Sequence, residues 1–176
     1  MVSLSKKVCL LGDFAVGKTS LVRRLVHDMF DDRYISTIGV KVSRKTITIA
    51  RDQDIIDLSI ILWDLAGSEE FNHMRASYLR GASGLFLVAD VTRPATLANL
   101  PAYLADLDQS VGRIPIVLAA NKADLMSNSD DSPLLAAVQA QAAAPEAPWF
   151  MTSALTGSDV ENAFRQLGRM MVLDAP

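Results

Sequence analysis

The stretch Gly12-Asp13-Phe14-Ala15-Val16-Gly17-Lys18-Thr19 decides the fold of this sequence. It follows a short strand-like run at 7–11 and precedes a helix-forming segment, which predicts a tight passage from strand to helix. Its two glycines allow backbone N–H groups to surround a phosphate, and the helix adds the positive end of its dipole. At average composition, such a match in 176 residues is a coincidence of about one in a hundred or rarer. Residues 12–19, called the phosphate loop below, therefore predict a nucleotide site.

Short strand-like runs alternate with longer helical segments along the chain, so we expect an α/β fold with a six-stranded, mostly parallel sheet. The strands are predicted at 7–11, 45–50, 58–63, 84–90, 114–121 and 149–152. The second run alternates polar and apolar residues and lies close to the third, which indicates an antiparallel hairpin at one edge. About five helices should flank the sheet, including helices at 18–28, 99–109, 133–144 and 159–171.

Local signals refine two of these helices. Ser158 and Glu161 match a capping box at the start of the last helix. The apolar residues of that helix form one stripe, which predicts a core face: Val160, Ala163, Phe164, Leu167 and Met171. Pro101 belongs in the first turn of its helix, after a looser start near Pro94.

Length and composition limit the class of protein. A chain of 176 residues, half of them apolar, predicts one domain spanning residues 1–176. The net charge of -3, with both signs interspersed, gives no footprint for nucleic acid. Cys9 is the only cysteine, which excludes a disulfide framework and a cysteine-based metal site and fits a reducing compartment. Neither a membrane span nor a signal peptide is visible, so we expect a cytoplasmic protein.

The residue types around the phosphate loop indicate how phosphates and a cation are held. Lys18 can reach the β and γ phosphates, and the Thr19 hydroxyl can bind Mg²⁺. Asp64-Leu65-Ala66-Gly67 ends the third predicted strand, where Asp64 can orient Mg²⁺ through water and the Gly67 N–H can approach the γ-phosphate. Asp before a loop Gly is usually only a turn, so this second motif draws its weight from its position.

The base is indicated by Asn121-Lys122-Ala123-Asp124, which follows the fifth predicted strand. The Asp124 carboxylate can accept from the ring N–H and the exocyclic amine of guanine, whereas adenine offers no matching pair of donors. Thr152-Ser153-Ala154-Leu155-Thr156 follows the sixth strand and would supply backbone N–H groups to the base oxygen.

With these motifs in order, the chain resembles a Ras-like small GTPase of the Rab and Rho type over residues 7–168. The resemblance implies GTP or GDP as ligand, with Mg²⁺, and first and second switch regions at 30–40 and 64–80. Phe30 would pack on the guanine, Tyr34 would cover the phosphates and Thr37 would be the second hydroxyl ligand of Mg²⁺. Further nucleotide contacts implied by the motifs are Gly12, Ala15, Val16, Gly17, Ser20, Asn121, Lys122, Ser153, Ala154 and Leu155.

The resemblance also implies a mechanism and partners. Lys18, Thr37, Gly67 and the position of Ser68 would act in hydrolysis, and loss of the γ-phosphate would release Thr37 and Gly67. An effector, an exchange factor and an activating protein would bind the switch regions, and the family default is a monomer.

Two departures from the family pattern concern turnover. Ser68 stands where the family has the glutamine that orients the attacking water, so we expect intrinsic hydrolysis at or below ~10⁻⁴ s⁻¹. Substitution for that glutamine by Glu69 or Glu70 is the open alternative. Phe14 stands where Ras has glycine and should obstruct an activator's arginine, although packing without consequence is the other interpretation.

Two further departures concern the base and the location. Leu155 replaces a lysine of the family motif, which should weaken the contact with guanine while Asp124 still sets specificity. Residues 172–176 contain neither a prenylatable cysteine nor a polybasic tail, so no membrane anchor is expected unless the tail was removed or continues. The sequence thus predicts a slow GTP-hydrolysing switch, with a GTP-loaded scaffold or sensor as the alternative. A small-molecule kinase is disfavoured by residues 121–124.

Overall fold

A computed structural model of the chain describes residues 2–33, 36–51, 54–67, 72–126 and 147–173, with the side chains of 72–75 and 106–110 left out. Its strands are β1 (Val2–Leu11), β2 (Val40–Arg51), β3 (Asp54–Leu65), β4 (Gly84–Asp90), β5 (Ile116–Asn121) and β6 (Trp149–Met151). Its helices are α1 (Lys18–His27), α2 (Asn72–Leu79), α3 (Pro94–Ala98), α4 (Leu100–Ser110) and α5 (Val160–Leu173), with a 3-10 turn at Ala123–Leu125.

The six strands form one sheet in the order β2-β3-β1-β4-β5-β6. Only the pair β2 and β3 is antiparallel, and it continues in register from Val40 opposite Leu65 to Arg51 opposite Asp54. The predicted α/β class, with a mostly parallel sheet and one antiparallel edge, is confirmed. The strand order reverses direction beside β1, where open α/β sheets bind their ligands beyond the strand ends. The phosphate loop follows β1 at this point.

Three strands are longer than predicted. β1 begins at Val2 instead of residue 7, β2 at Val40 instead of 45, and β3 at Asp54 instead of 58. The added residues pair along the backbone, for example Ser3 with Asp57, and most of their side chains, apart from that of Ile56, are exposed or only partly buried. A hydrogen-bonded ladder needs no apolar side chains, so hydrophobic pattern finds only the buried middle of such strands.

The sheet has an apolar core on each face. Along β1, Val8 and Leu10 pack with α1 and α5, whereas Cys9 and Leu11 pack on the face of α3 and α4. Successive side chains of a strand point to opposite faces, so a central strand must be apolar on both. Burial raises the pKa of the Cys9 thiol to about 11, against the lowering charge of Lys7. Cys9 is a core residue.

The predictions for helix ends had mixed outcomes. The stripe of the last helix is buried as expected, and Pro101 lies in the first turn of α4 after the short α3 that Pro94 begins. The capping box was wrong: α5 begins at Val160, and Glu161 pairs with Arg165 at 2.9 Å. The Ser158 backbone instead accepts from Ser153, because this segment closes the preceding loop. The predicted helix 133–144 lies outside the described residues, and α2 was not predicted.

No helix within the described ranges is long and apolar enough to cross a membrane.

The stacked rings of Phe86 and Phe164 join the sheet to α5, with centroids 4.0 Å apart and planes within 3°. Both side chains are fully buried. We expect Phe164→Ala to lower the free energy of unfolding by about 3–5 kcal/mol, because it removes the stack and leaves a cavity. Urea denaturation measures this change. Leu173→Ala, at an exposed position of the same helix, should change it by less than about 0.5 kcal/mol, and equal losses would contradict the assignment of the core.

Candidate functional site

A cavity of about 670 Å³ opens beyond the carboxyl ends of the central strands. The predicted site residues that line it are Ala15, Gly17, Lys18, Thr19, Ser20, Phe30, Thr37, Gly67, Asn121, Lys122, Asp124, Ala154 and Leu155. Four other predicted site residues are buried and do not line the cavity: Gly12, Val16, Asp64 and Ser153. Tyr34 and Ser68, together with the alternatives Glu69 and Glu70, lie outside the described residues.

The Lys18 side chain folds back over the phosphate loop and contacts its first two residues. Its buried ammonium group donates to the carbonyls of Gly12 at 2.7 Å and Asp13 at 3.0 Å. Gly17 has φ +101°, and a Cβ there would lie 2.3 Å from the Asn121 amide nitrogen. Only glycine meets both conditions. The loop therefore has the shape and the charge that a phosphate ligand needs.

Two hydroxyls and a carboxylate meet beside the loop. Thr19 Oγ1 lies 2.7 Å from Thr37 Oγ1, and it donates to the Asp64 carboxylate. The other Asp64 oxygen, Oδ1, is buried, and no donor among the described residues reaches it. Burial raises the pKa of Asp64, while the Thr19 hydrogen bond and the charges of Lys18 and Lys41 oppose the rise. Hard oxygen ligands beside an unsatisfied buried carboxylate oxygen fit Mg²⁺.

Asn121 connects the phosphate loop to the other end of the cavity. Its amide nitrogen donates to the Val16 carbonyl at 2.9 Å, and its oxygen accepts from Thr152 Oγ1 at 3.2 Å and the Ala154 N–H at 3.3 Å. The predicted base-binding segments therefore share one side chain with the phosphate loop.

The Asp124 carboxylate is exposed in the cavity wall, and the buried hydroxyl of Ser153 orients it. Ser153 Oγ donates to Asp124 Oδ1 at 2.5 Å, and Ser153 itself is almost fully buried. A fixed hydroxyl donor orients the carboxylate without neutralising it, so Asp124 keeps acceptor capacity for a ligand.

Comparison with known proteins identifies the family. The model of the Ras family matches residues 7–173 of this chain. The chain belongs to the Ras family. Human Ras-related protein Rab-32 is 37% identical over 174 residues, which cover 92% of this chain and 72% of that protein. GTP-binding protein ypt5 of Schizosaccharomyces pombe is 34% identical over 177 residues, covering 99% and 81%. Ras-related protein RABA1g of Arabidopsis thaliana is 39% identical over 167 residues, covering 92% and 72%.

This Ras-family chain has an ionic bridge that sequence reasoning missed. Asp90, at the end of β4, is 1% exposed and accepts from Lys122 Nζ at 2.6 Å and Arg93 Nε at 3.0 Å. Burial alone would raise the pKa of Asp90, but hydrogen bonds from Lys122, Thr92 and Arg93 outweigh it and lower the pKa below 3.8. Arg93 also donates to the Phe14 carbonyl at 2.8 Å, so the bridge joins the base segment to the phosphate loop.

The outer edge of the phosphate loop is held by a second missed set of contacts. The Asp13 carboxylate accepts from Asn99 at 2.7 Å and from the Tyr103 hydroxyl at 2.8 Å. A Cβ on Gly67 would lie 2.7 Å from the Phe14 backbone nitrogen, so the second switch begins in direct contact with this edge. Phe14, which is 48% exposed, thus projects into the cavity from a fixed backbone.

For one of these residues, Asp90, the sequence contained a signal that could have predicted a place at the site. Asp90 ends a buried parallel strand, and polar residues at such ends meet at the ligand edge of the sheet. Arg93, Asn99 and Tyr103 carried none, because they contact the phosphate loop across 79 to 90 residues of sequence.

Asp90→Asn should lower the free energy of unfolding at about pH 7 by about 1–3 kcal/mol, since Lys122 and Arg93 lose a charged acceptor. The folded pKa of Asp90 is lowered, so its ionised form stabilises the fold above about pH 4, and this stabilisation disappears as the pH falls through the folded pKa. The difference between the two proteins in urea denaturation should therefore shrink at about pH 3.

Asp57→Asn is the matched control, because among the described residues the Asp57 side chain accepts only one bond, an exposed one from Thr48 at 3.1 Å. It should change stability by less than about 0.5 kcal/mol. A difference for Asp90→Asn that does not vary with pH would contradict the assignment of its charge.

Proposed function

We propose that this chain is a guanine-nucleotide-dependent switch that binds GTP or GDP with Mg²⁺ and hydrolyses GTP slowly. The observation that carries the proposal is one cavity with a phosphate loop at one end and an oriented carboxylate, Asp124, at the other. Membership of the Ras family supports guanine nucleotide as the ligand and GTP hydrolysis as the activity. The relative ypt5 is itself described as a GTP-binding protein.

At the phosphate end, the chain supplies positive charge and hydroxyl oxygens. Lys18 would exchange its contacts with the Gly12 and Asp13 carbonyls for phosphate oxygens, which carry more charge. Thr19 and Thr37 would hold Mg²⁺, with Asp64 orienting its shell through water. The cation, when bound, neutralises charge on the β and γ phosphates.

At the base end, the Asp124 carboxylate would accept from the ring N–H and the exocyclic amine of guanine. Two charge-assisted bonds to one carboxylate reject adenine, which lacks that pair of donors. Lys122 has φ +67° and is drawn to Asp90, so its aliphatic chain forms part of the cavity wall. Phe30, 39% exposed, would pack against the base.

The chain's own residues favour slow turnover. Ser68 replaces the glutamine that orients water in the family, and a serine side chain is too short for that role. Phe14 projects from a backbone held by Arg93, so the ring cannot withdraw by a simple backbone shift. We propose that it obstructs the approach of an activator's arginine.

Nucleotide state would be read through the two switch regions. Thr37 in the first switch contacts Thr19, and Gly67 in the second contacts the phosphate loop. Lys7 donates to the carbonyls of Tyr78 at 2.6 Å and Arg80 at 2.9 Å, which fixes the far end of the second switch. Ile38 is 93% exposed, which supports an effector contact there. An exchange factor and an activating protein are the other proposed partners of a monomeric, cytoplasmic switch.

The alternative is a GTP-loaded scaffold or sensor with negligible turnover, and Ser68 with Phe14 favours it. The nucleotide retained after purification separates the two functions. A working switch should carry mostly GDP, whereas a scaffold should carry mostly GTP.

Asp124→Asn tests the base. The variant should bind GDP about 10²–10⁴-fold more weakly, because two charge-assisted bonds are lost, and should gain affinity for xanthosine diphosphate. Competition binding against a fluorescent nucleotide measures both. Asp159→Asn, at an exposed position outside the cavity, should change neither affinity. Absence of any shift toward xanthine would mean that the base binds elsewhere.

Single-turnover hydrolysis of bound GTP should proceed at or below ~10⁻⁴ s⁻¹. Ser68→Gln should raise this rate, because glutamine can orient the attacking water, whereas Ser68→Ala should leave it unchanged. Hydrolysis by the natural chain within seconds would contradict the proposed slow turnover. A large loss of rate in Ser68→Ala would contradict the proposal that Ser68 is inactive.

A further inference from the structure

Arg24 in α1 contacts the base loop, defined here as residues 153–157, across 130 residues of sequence. Its Nε donates to the Ala154 carbonyl at 2.9 Å, and one terminal nitrogen donates to the Leu155 carbonyl at 2.6 Å. The other terminal nitrogen donates to Asp28, at 2.9 Å to the carboxylate and 3.2 Å to the carbonyl. The Arg24 side chain is only 17% exposed and its contact with the Ala154 carbonyl is partly buried, whereas the contacts with Asp28 and the Leu155 carbonyl lie at the surface.

The first carbonyl contact fixes the direction of an N–H group. A trans peptide directs its carbonyl and its N–H to opposite sides. Because Arg24 holds the Ala154 carbonyl, the Leu155 N–H points away from α1. In the part of the chain that the structure describes, this N–H donates to no protein acceptor, and both Ala154 and Leu155 line the cavity. It is the backbone donor that an oxygen on the base would meet.

The second carbonyl contact reaches the carboxylate that recognises the base. Arg24 holds the Leu155 carbonyl, and the N–H at the other side of that peptide belongs to Thr156. The Thr156 N–H donates to Ser153 Oγ at 3.1 Å, which in turn donates to Asp124 at 2.5 Å. Both base contacts therefore depend on peptides that Arg24 holds.

Only a guanidinium makes this set of contacts. Its donors lie in one plane at fixed angles, so Arg24 can hold two successive carbonyls and Asp28 at once, whereas a lysine has a single nitrogen. The Leu155 side chain is apolar and cannot contribute a donor, so Leu155 can donate to the base oxygen only through its backbone N–H.

We propose that Arg24 is a positioning residue for guanine, which holds the Leu155 N–H and the Asp124 carboxylate in their binding orientations. The inference rests on the proposed function, because it assigns a role within the same nucleotide site. If Arg24 only stabilised α1, its substitution would instead weaken the binding of all nucleotides by the same factor.

Three diphosphates separate these roles when Arg24→Lys is compared with the natural chain. GDP carries the base oxygen, the ring N–H and the exocyclic amine. Inosine diphosphate lacks only the amine, and 2-aminopurine riboside diphosphate lacks both the oxygen and the ring N–H. Arg24→Lys should weaken the binding of GDP and of inosine diphosphate each by about tenfold. The binding of 2-aminopurine riboside diphosphate, which keeps only the amine contact with Asp124, should weaken by no more than about threefold. Equilibrium titration measures all three, with 2-aminopurine fluorescence for the last.

Arg165→Lys is the matched control. Arg165 also lies in a helix, pairs with a carboxylate four residues away at 2.9 Å and donates to one distant carbonyl, that of Thr48, at 3.3 Å. It should leave all three affinities within about twofold. Urea denaturation checks that Arg24→Lys is folded.

Equal losses for the three ligands, or no loss for GDP, would overturn the role of Arg24 while leaving the proposed function intact. Failure of the natural chain to bind GDP would overturn the proposed function, and the inference with it.

Discussion

The Asn121 side chain makes the interaction on which the rest of the site depends. Its amide holds the Val16 carbonyl of the phosphate loop at 2.9 Å and accepts from Thr152 and Ala154 beyond β6. The segments that follow β1 and β6 are thereby tied to one residue at the end of β5. Gly17 must lack a side chain because the Asn121 amide occupies that space. One buried amide therefore contacts both the phosphate end and the base end of the cavity.

The same physical device orients both ends of the cavity. In the phosphate loop, the Phe14 carbonyl accepts from Arg93, and the carbonyls of Gly12 and Asp13 accept from Lys18 until, in the proposed function, a phosphate takes their place. In the base loop, Arg24 binds the carbonyls of Ala154 and Leu155. Cationic side chains satisfy the carbonyl side of these peptides and leave N–H groups for an anion or a base oxygen. The protein thus presents backbone N–H donors, which only a substitution by proline would remove.

The sequence predicted the order of the elements and most of the residues that line the cavity. Buried strands and the loop motifs at 12–19, 64–67, 121–124 and 152–156 are local patterns, which can be recognised without the fold. The sequence underestimated the lengths of β1, β2 and β3, whose ends are held mainly by backbone pairing. It also missed α2 and assigned a capping box that the closure of the base loop prevents. The supports of the site were out of reach for another reason. Arg93, Asn99 and Arg24 act through contacts distant in sequence, and their residue types are ordinary for surface turns and helices.

Helix α1 begins at Lys18 beside the phosphate loop and presents Arg24 to the base loop less than two turns later. Six residues of α-helix advance about 9 Å and return to within about a third of a turn of the starting direction. In the proposed function, the first turn would contact the phosphate and the second would position the base loop, both on one rigid helix. Insertion or deletion of a single residue between them would rotate Arg24 by about 100° relative to Lys18, so this segment tolerates changes of side chain but no change of length.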